Sequence, residues 1–160
     1  MSLDQLSRSA YGEDHEAFRA TVRQFLEKEV APNQAKWAED GIVPRGLWPK
    51  AGELGLLCPT VPEEYGGLGL DFGYNAIVDE ESAYYGRVTT GFSLQSDIVT
   101  SYIVRYGSEE QKRHWLPKMV AGEVITAIAM TEPVTGSDLQ GMRTTANKDG
   151  NHYVINGKKT

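Results

Sequence analysis

The chain has 160 residues, of which 40% are hydrophobic and 24% are charged, and its net charge is −6. This balance is typical of a globular protein, and the length fits one ordinary domain or one domain plus part of another. The sequence has no basic stripe and no apolar run of about eighteen residues, which argues against a nucleic-acid-binding protein and against a membrane span.

The N-terminus, MSLDQLSRSAYGED, is polar and lacks the apolar centre of a secretion signal. The single cysteine, Cys58, excludes an internal disulfide framework and is predicted to be a small core residue. His15, His114 and His152 are far apart and lack metal-ligand spacing, so no metal site is expected. A soluble intracellular protein is therefore predicted.

The first predicted helix carries one apolar stripe. Apolar residues recur at offsets of four, seven, eight and twelve, which places them on one face of a helix: Phe18, Val22, Phe25, Leu26 and Val30. We expect Asp14 to cap this helix and Pro32 to bend or end it. A polar continuation is expected to end at Gly41.

A short second helix is predicted from Leu47, with Leu47, Ala51 and Leu54 on one face. Gly55 suits the left-handed position after its end. The next segment, CPTVPEEYGGLGLD, holds two prolines and three glycines and is predicted to be a loop.

Two longer helices are expected next, over residues 71–85 and 89–106. One side of the first carries Tyr74, Ile77, Val78, Glu81 and Tyr85. The apolar residues of the second surround the helix, which predicts burial between other helices: Phe92, Leu94, Ile98, Val99, Tyr102 and Ile103. Gly107 is expected to end it. Because adjacent helical positions diverge by roughly 100°, Glu80 and Glu81 are not expected to share a site.

The last predicted helix begins with a capping box formed by Ser108 and Gln111. Trp115 and Leu116 are expected to face inward. Pro117 is expected to start a fresh turn, because proline is costly inside a helix.

The periodicity changes after Gly122, and VITAIAMT (residues 124–131) is predicted to be a strand. RTTANK and HYVIN follow as a pair joined around Asp149 and Gly150. Asn156-Gly157 is a strong hairpin signal, yet only three residues follow it. We therefore expect a sheet with an exposed edge, in a chain cut inside its second domain.

These elements predict a mainly α fold. An antiparallel helical bundle over residues 1–123 would be followed, over residues 124–160, by the first strands of a truncated β-barrel-like domain. The boundary is expected near residues 122–124.

The turn TEPVTGSD (residues 131–138) is the candidate ligand site. Gly136 allows backbone N–H groups to approach a phosphate, Ser137 adds a hydroxyl donor, and Thr131 could bond the rim of a polar ring. The alternative, which the residues alone favour, is a turn whose Ser137 and Asp138 side chains bond their own backbone. The spacing fits neither a Walker loop nor a GxGxxG fingerprint.

The segment AMTEPVTGSDLQGMRTTANKDGNHYVINGKKT (residues 129–160) resembles the acyl-CoA dehydrogenase family, at the junction of its helical N-terminal domain and its β-domain. VPEEYGGLGLD (61–71) and YGSEEQKRHWLPKMVAGE (106–123) resemble the same family. The resemblance covers the chain from about Glu13 to Thr160, in the family's order. Val134 stands where the family usually has glycine.

The resemblance implies FAD as cofactor. Met130 and Thr131 would lie along the flavin, and Gly136 and Ser137 would hold the pyrophosphate. Ser137 would also meet the acyl-CoA substrate near its pantetheine arm, and part of the 89–106 helix would line the acyl-chain cavity. Arg143 and Lys158 could help neutralise phosphates, although a solvated strand face is the favoured interpretation of the lysines.

The implied reaction is α,β-dehydrogenation of an acyl-CoA thioester to the trans-2-enoyl-CoA. The resemblance also implies that the electrons pass to an electron-transferring flavoprotein and that the protein forms a homotetramer. The family's general base is a glutamate of a C-terminal domain, so no catalytic residue is expected here, and the chain alone is predicted to be inactive and a poor FAD binder. The alternatives are an acyl-CoA oxidase or nitroalkane oxidase on the same scaffold, or a non-catalytic helical module for binding or oligomerisation.

Overall fold

A computed structural model describes residues 11–85 and 90–160. The chain divides after Thr126 into two compact units, the first helical and the second containing a two-stranded antiparallel sheet. The predicted fold class, mainly helical with short strands at the C-terminal end, is confirmed. None of the helices in residues 11–85 and 90–160 has the length and apolarity that crossing a membrane requires.

Six α-helices are described in the first unit, joined by short π-helical and 3-10 segments. In chain order they are α1 (Glu13–Phe25), a π-helical segment (Leu26–Val30), a 3-10 turn (Ala31–Asn33), α2 (Gln34–Asp40), α3 (Leu47–Glu53), a 3-10 turn (Glu63–Tyr65), α4 (Phe72–Tyr84), a π-helical segment (Leu94–Val99), α5 (Thr100–Tyr106) and α6 (Glu109–Val120). The second unit holds a 3-10 turn (Leu139–Gly141), β1 (Thr145–Asp149) and β2 (His152–Asn156). The start of the predicted 89–106 helix, Thr89, lies outside the described residues.

The first helical stretch is continuous but changes its winding. Gly12 precedes α1, and its N–H donates to His15 Nδ1 at 3.2 Å, so the prediction of Asp14 as the cap is wrong. Pro32 lies in the 3-10 turn that separates the π-helical segment from α2, where its missing N–H costs least. Gly41 ends α2 with φ of 68°, as predicted.

The core of the first unit gathers apolar side chains from all its helices. The predicted α1 stripe contributes Val22, Phe25, Leu26 and Val30 as buried residues and Phe18 as a partly buried one. Cys58 is fully buried there, as predicted. Trp48 and Phe92 pack edge to face, with ring centroids 4.9 Å apart.

Leu54 does not share the buried face of α3 on which it was placed, and two predictions of inward-facing residues are wrong. Leu54 is 46% exposed, because α3 already ends at Glu53 and Gly55 turns the chain with φ of 70°. Trp115 is 41% exposed while Leu116 beside it is fully buried. Ile98 and Tyr102 are also largely exposed, so the predicted fourth helix buries only one of its apolar sides.

Pro117 lies inside α6 and does not start a new turn. The capping box of Ser108 and Gln111 is confirmed at the start of this helix. Leu116 and Met119, on either side of the proline in sequence, are fully buried, and this packing outweighs the lost backbone hydrogen bond.

A buried ion pair connects α1 to α4. The Arg19 guanidinium, only 4% exposed, donates from Nη1 to Glu81 Oε1 at 2.7 Å and to Glu80 Oε2 at 2.8 Å. Arg23 Nε donates to Glu81 Oε2 at 2.6 Å. Burial of Arg19 opposes its charge, but hydrogen bonds with Glu81 and Glu80 prevail and raise the pKa of Arg19. The two glutamates therefore share a site, contrary to the prediction, because Arg19 reaches between them.

In the second unit, β1 and β2 pair antiparallel from Thr145↔Asn156 to Asp149↔His152, around Gly150 with φ of 58°. This hairpin is confirmed, and every residue of both strands is exposed.

The strand predicted over residues 124–131 and the hairpin at Asn156-Gly157 are both wrong. Residues 124–131 form no ladder, and the N–H of Thr126 donates instead to the Gln95 side chain at 2.9 Å. β2 ends at Asn156, and a Cβ on Gly157 would lie 2.0 Å from Thr144 Oγ1. The glycine at 157 therefore permits a close approach, not a reverse turn.

Candidate functional site

The predicted ligand-binding turn is a tight bend of the second unit. Glu132 and Thr135 exchange backbone hydrogen bonds of 2.9 Å and 3.0 Å, with Pro133 and Val134 at the corner. Proline presets the first corner position of such a turn. Among the described residues, Cys58 is the only non-glycine with a positive φ, so Val134 replaces a family glycine without backbone strain.

A buried carboxylate stands at the base of this turn. The Glu132 side chain is 3% exposed and accepts the N–H of Arg143 at 2.8 Å and the N–H of Thr144 at 3.1 Å. Lys159 Nζ lies 3.0 Å from Glu132 Oε1. Hydrogen bonds from Thr144, Arg143 and Lys159 lower the pKa of Glu132 to about 2, so the carboxylate is ionised at any physiological pH.

The last two residues bond to the segment that precedes the turn. Lys159 Nζ donates to the carbonyl oxygen of Met130 at 3.2 Å, and the N–H of Thr160 donates to the carbonyl oxygen of Thr131 at 3.0 Å. The two carbonyl groups are thus held by the protein. Within the described chain, the N–H of Thr131 and its hydroxyl form no hydrogen bond.

The four residues implicated by the resemblance are all exposed. Met130 is 40% exposed, and Thr131, Gly136 and Ser137 are accessible as well. In the part of the chain that the structure describes, neither the N–H groups of Gly136 and Ser137 nor the Ser137 and Asp138 side chains bond within the turn. The self-bonded turn that the residues alone favoured is therefore not what forms.

Gly136 has no internal reason to be glycine. Its φ is not positive, and a Cβ at this position would meet nothing within 4 Å. Space next to an exposed backbone N–H suits an external group that approaches the main chain closely. The donors of residues 131, 136 and 137 thus fit a ligand rich in acceptor oxygens and nitrogens, such as a dinucleotide with a diphosphate.

Sequence reasoning missed Glu132 and Lys159. The lysines were assigned to a solvated face, but Lys159 is bound to Glu132, Met130 and, at 3.5 Å, the sulfur of Met142. A charged residue between a strand-like apolar run and a proline was the one available signal. It could not reveal a partner 27 residues away.

An apolar cavity of about 450 Å³ opens in the helical unit. It lies between the end of α5, α6 and the residues that follow, and it is lined by Tyr102, Ile103, Tyr106, Gly107, Gln111, Trp115, Met119, Val124 and Thr126. Buried Gln95 braces its wall, because Nε2 donates to the Met119 carbonyl at 2.9 Å and Oε1 accepts the Thr126 N–H at 2.9 Å. The aromatic and aliphatic lining suits a hydrocarbon chain. In residues 11–85 and 90–160, no group of three or more His, Cys, Asp or Glu side chains could hold a metal ion.

Comparison with known proteins decides the family. Residues 12–123 match the model of the acyl-CoA dehydrogenase N-terminal domain, and residues 127–160 match the model of the acyl-CoA dehydrogenase middle domain. The chain belongs to the acyl-CoA dehydrogenase family.

Individual acyl-CoA dehydrogenases agree with this assignment. The mitochondrial long-chain specific acyl-CoA dehydrogenase of Sus scrofa is 52% identical over 95% of this chain and 35% of its own length. The crystal structure of an acyl-CoA dehydrogenase from Geobacillus kaustophilus has a TM-score of 0.90 and 54% identity, over 95% of this chain and 40% of its own. An acyl-CoA dehydrogenase from Bacillus anthracis, complexed with FAD, has a TM-score of 0.84 and 36% identity, over 99% and 28% of the two chains. This chain thus spans about a third of the length of the curated acyl-CoA dehydrogenases it matches.

Proposed function

We propose that this chain is the N-terminal part of an FAD-dependent acyl-CoA dehydrogenase, which converts an acyl-CoA thioester to the trans-2-enoyl-CoA. Residues 1–123 would be its N-terminal helical domain and residues 124–160 the beginning of its middle domain, with a C-terminal helical domain supplied by further chain. The observation that carries the proposal is the exposed set of donors around the turn at Glu132–Thr135, in a chain whose family includes an FAD complex.

Four residues are proposed to hold the cofactor. Met130 and Thr131 lie along the flavin, and the N–H groups of Gly136 and Ser137 with the Ser137 hydroxyl hold the pyrophosphate. The Ser137 hydroxyl also meets the acyl-CoA substrate. FAD, when bound, accepts the hydrogen lost from the β-carbon as hydride. The open space around Gly136 and the unpaired donors beside it fit this group.

The apolar cavity of the helical unit is proposed to receive the acyl chain. Tyr102, Ile103 and Tyr106 place apolar surface of α5 along it, and Trp115 and Met119 contribute from α6. Burial of methylene groups there would supply binding energy at about 0.8 kcal/mol for each group removed from water.

The general base is proposed to be a glutamate beyond residue 160. A thioester α-proton is too weakly acidic to leave without a positioned base. Glu81 and Glu132 are buried and already bound to cations or N–H groups, so neither is free to take a proton from substrate. The chain by itself is therefore expected to be inactive and to bind FAD weakly.

The decisive experiment compares the 160-residue chain with the complete protein that carries it. The complete protein is expected to be purified yellow and to lose its flavin colour when a fatty acyl-CoA is added, whereas the chain alone should not. Transfer of electrons to an electron-transferring flavoprotein, a homotetrameric assembly and a cytoplasmic or mitochondrial-matrix location are proposed with it. A colourless complete protein that ignores FAD refutes the proposal, and stoichiometric hydrogen peroxide refutes the dehydrogenase in favour of an oxidase.

A further inference from the structure

We infer that the ion pair of Glu132 and Lys159 positions the Met130–Thr131 segment for the flavin, an inference that rests on the proposed FAD-binding role of this segment. Neither residue is proposed to touch the cofactor. Both act through the backbone of residues that do.

The pair joins four separate points of the second unit. Glu132 Oε2 accepts the N–H of Arg143, and Oε1 accepts both the N–H of Thr144 and Lys159 Nζ. Lys159 in turn holds the Met130 carbonyl oxygen at 3.2 Å. The segment before the turn, the turn itself, the start of the β1 region and the end of the chain are therefore fixed against one another.

This arrangement sets the direction in which the segment can bind a ligand. The carbonyl oxygens of Met130 and Thr131 are occupied by Lys159 Nζ and by the N–H of Thr160. A peptide group whose oxygen is held on one side presents its N–H on the other, because the unit is planar and trans. The Met130–Thr131 peptide thus offers the N–H of Thr131 to the ligand, whereas the N–H of Glu132, in the next peptide, already donates to the Thr135 carbonyl oxygen. A donor in this position suits an acceptor nitrogen or oxygen at one edge of a flavin ring.

Burial restricts the geometry of the Glu132–Lys159 ion pair. The Glu132 side chain is 3% exposed and that of Lys159 is 31% exposed. Removal of either partner therefore leaves the charge of the other unpaired in a site that water reaches poorly. A carboxylate that accepts three donors has little freedom to rotate, whereas an apolar pair of equal volume would allow several arrangements. The ion pair therefore contributes more to the fixed position of the Met130–Thr131 segment than to the free energy of unfolding.

The test uses the complete FAD-containing protein, four test variants and one control variant. Glu132→Gln and Lys159→Met each remove one charge, the double variant removes both, and Lys159→Arg keeps the cation. Lys148→Met is the matched control, because Lys148 lies exposed on β1 and forms no hydrogen bond or ion pair through its side chain. FAD dissociation constants, the visible absorption spectrum of the bound flavin and the melting temperature of each apoprotein are measured.

We expect Glu132→Gln and Lys159→Met each to weaken FAD binding about tenfold, the equivalent of one misdirected hydrogen bond. The flavin spectrum should shift in both variants. The double variant should bind FAD only slightly more weakly than either single variant, because all three variants lose the same ion pair. Lys159→Arg should restore the spectrum, and Lys148→Met should match the unaltered protein in every measurement.

A Glu132→Gln apoprotein that stays folded and binds FAD with unaltered affinity and spectrum overturns the inference, while FAD binding by the parent protein stands. Loss of melting temperature without any spectral shift also overturns it, since the pair would then be only a stabilising contact. Should Glu132→Gln fail to fold, Lys159→Met and Lys159→Arg decide in the same way. An unaltered protein that binds no FAD removes the proposed function and this inference together.

Discussion

Replacement of Glu81 by glutamine should destabilise the helical unit far more than the same replacement one position earlier. Glu81 lies on α4 with its side chain 5% exposed, and it accepts from both Arg19 and Arg23 of α1. Glu80 also accepts from Arg19, but its side chain is 40% exposed. The two substitutions are chemically identical and differ in burial, which makes Glu80→Gln the matched control.

The expected magnitude follows from what each glutamine leaves behind. Without the Glu81 charge, the buried Arg19 keeps only Glu80 at 2.8 Å and Glu16 at 3.4 Å, both at least 40% exposed. Removal of one partner from a buried pair costs about 3–5 kcal/mol. Because Glu80 and Glu16 compensate in part, we expect about 3 kcal/mol, whereas loss of the half-exposed Glu80 should cost less than about 1 kcal/mol.

Thermal unfolding followed by far-ultraviolet circular dichroism measures the difference. At this chain length, 3 kcal/mol corresponds to a fall in Tm of roughly 6–12 °C, and the control should fall by less than about 4 °C. Equal falls for the two variants would show that the Arg19 site is not desolvated and would refute the reasoning. A Glu81→Gln variant more stable than the unaltered chain would refute it as well.

Three further predictions concern other parts of the molecule. Gly136→Ala should leave Tm unchanged and weaken FAD binding by the complete protein about tenfold in a fluorescence titration. Gly157→Ala should instead lower Tm, because its Cβ would clash with Thr144. A fall in Tm for Gly136→Ala would contradict this prediction. Burial, hydrogen bonding and charge repulsion from Asp97 raise the pKa of Asp79 to about 7, so the folded chain retains a proton that the unfolded chain loses. The free energy of unfolding should therefore fall as the pH rises from about 4 to about 7. Urea unfolding midpoints across this range should show that fall for the unaltered chain and not for Asp79→Asn, and parallel curves for the two proteins would contradict the prediction. Val124→Phe should fill part of the apolar cavity and lower kcat/KM of the complete enzyme for long acyl chains more than for short ones, and an equal loss for both would remove the cavity from the acyl site.

The sequence predicted the helical unit well, because a helix that is buried on one side has apolar residues at helical spacing, as Val22, Phe25 and Leu26 do. The capping box at Ser108 and the left-handed glycines at 41 and 55 are likewise local signals. Apolarity on every side of the 89–106 segment was read as burial on every side. The structure instead packs one side into the core and leaves Tyr102 and Tyr106 to line a cavity, a distinction that spacing cannot make.

The second unit was harder to predict, because its contacts join residues distant in sequence. Residues 124–131 have the composition of a strand, but a strand also needs a partner, and composition does not supply one. The exposed turn residues were chosen as site candidates through the resemblance, whereas Glu132 was not. Its importance comes from a lysine and two N–H groups that reach it only after the chain folds back.

The π-helical segment at Leu94–Val99 sets the angular position of everything that follows it on the same helix. Its wider turns take up about one more residue than a regular α-helix needs. If the same six residues kept regular α-helical winding, α5 would be rotated by roughly 100° about its own axis, because each residue of an α-helix turns by about that angle. Tyr102 and Tyr106 would then point away from the cavity without any change in their own identity, so the winding of this segment determines the cavity as much as the side chains that line it.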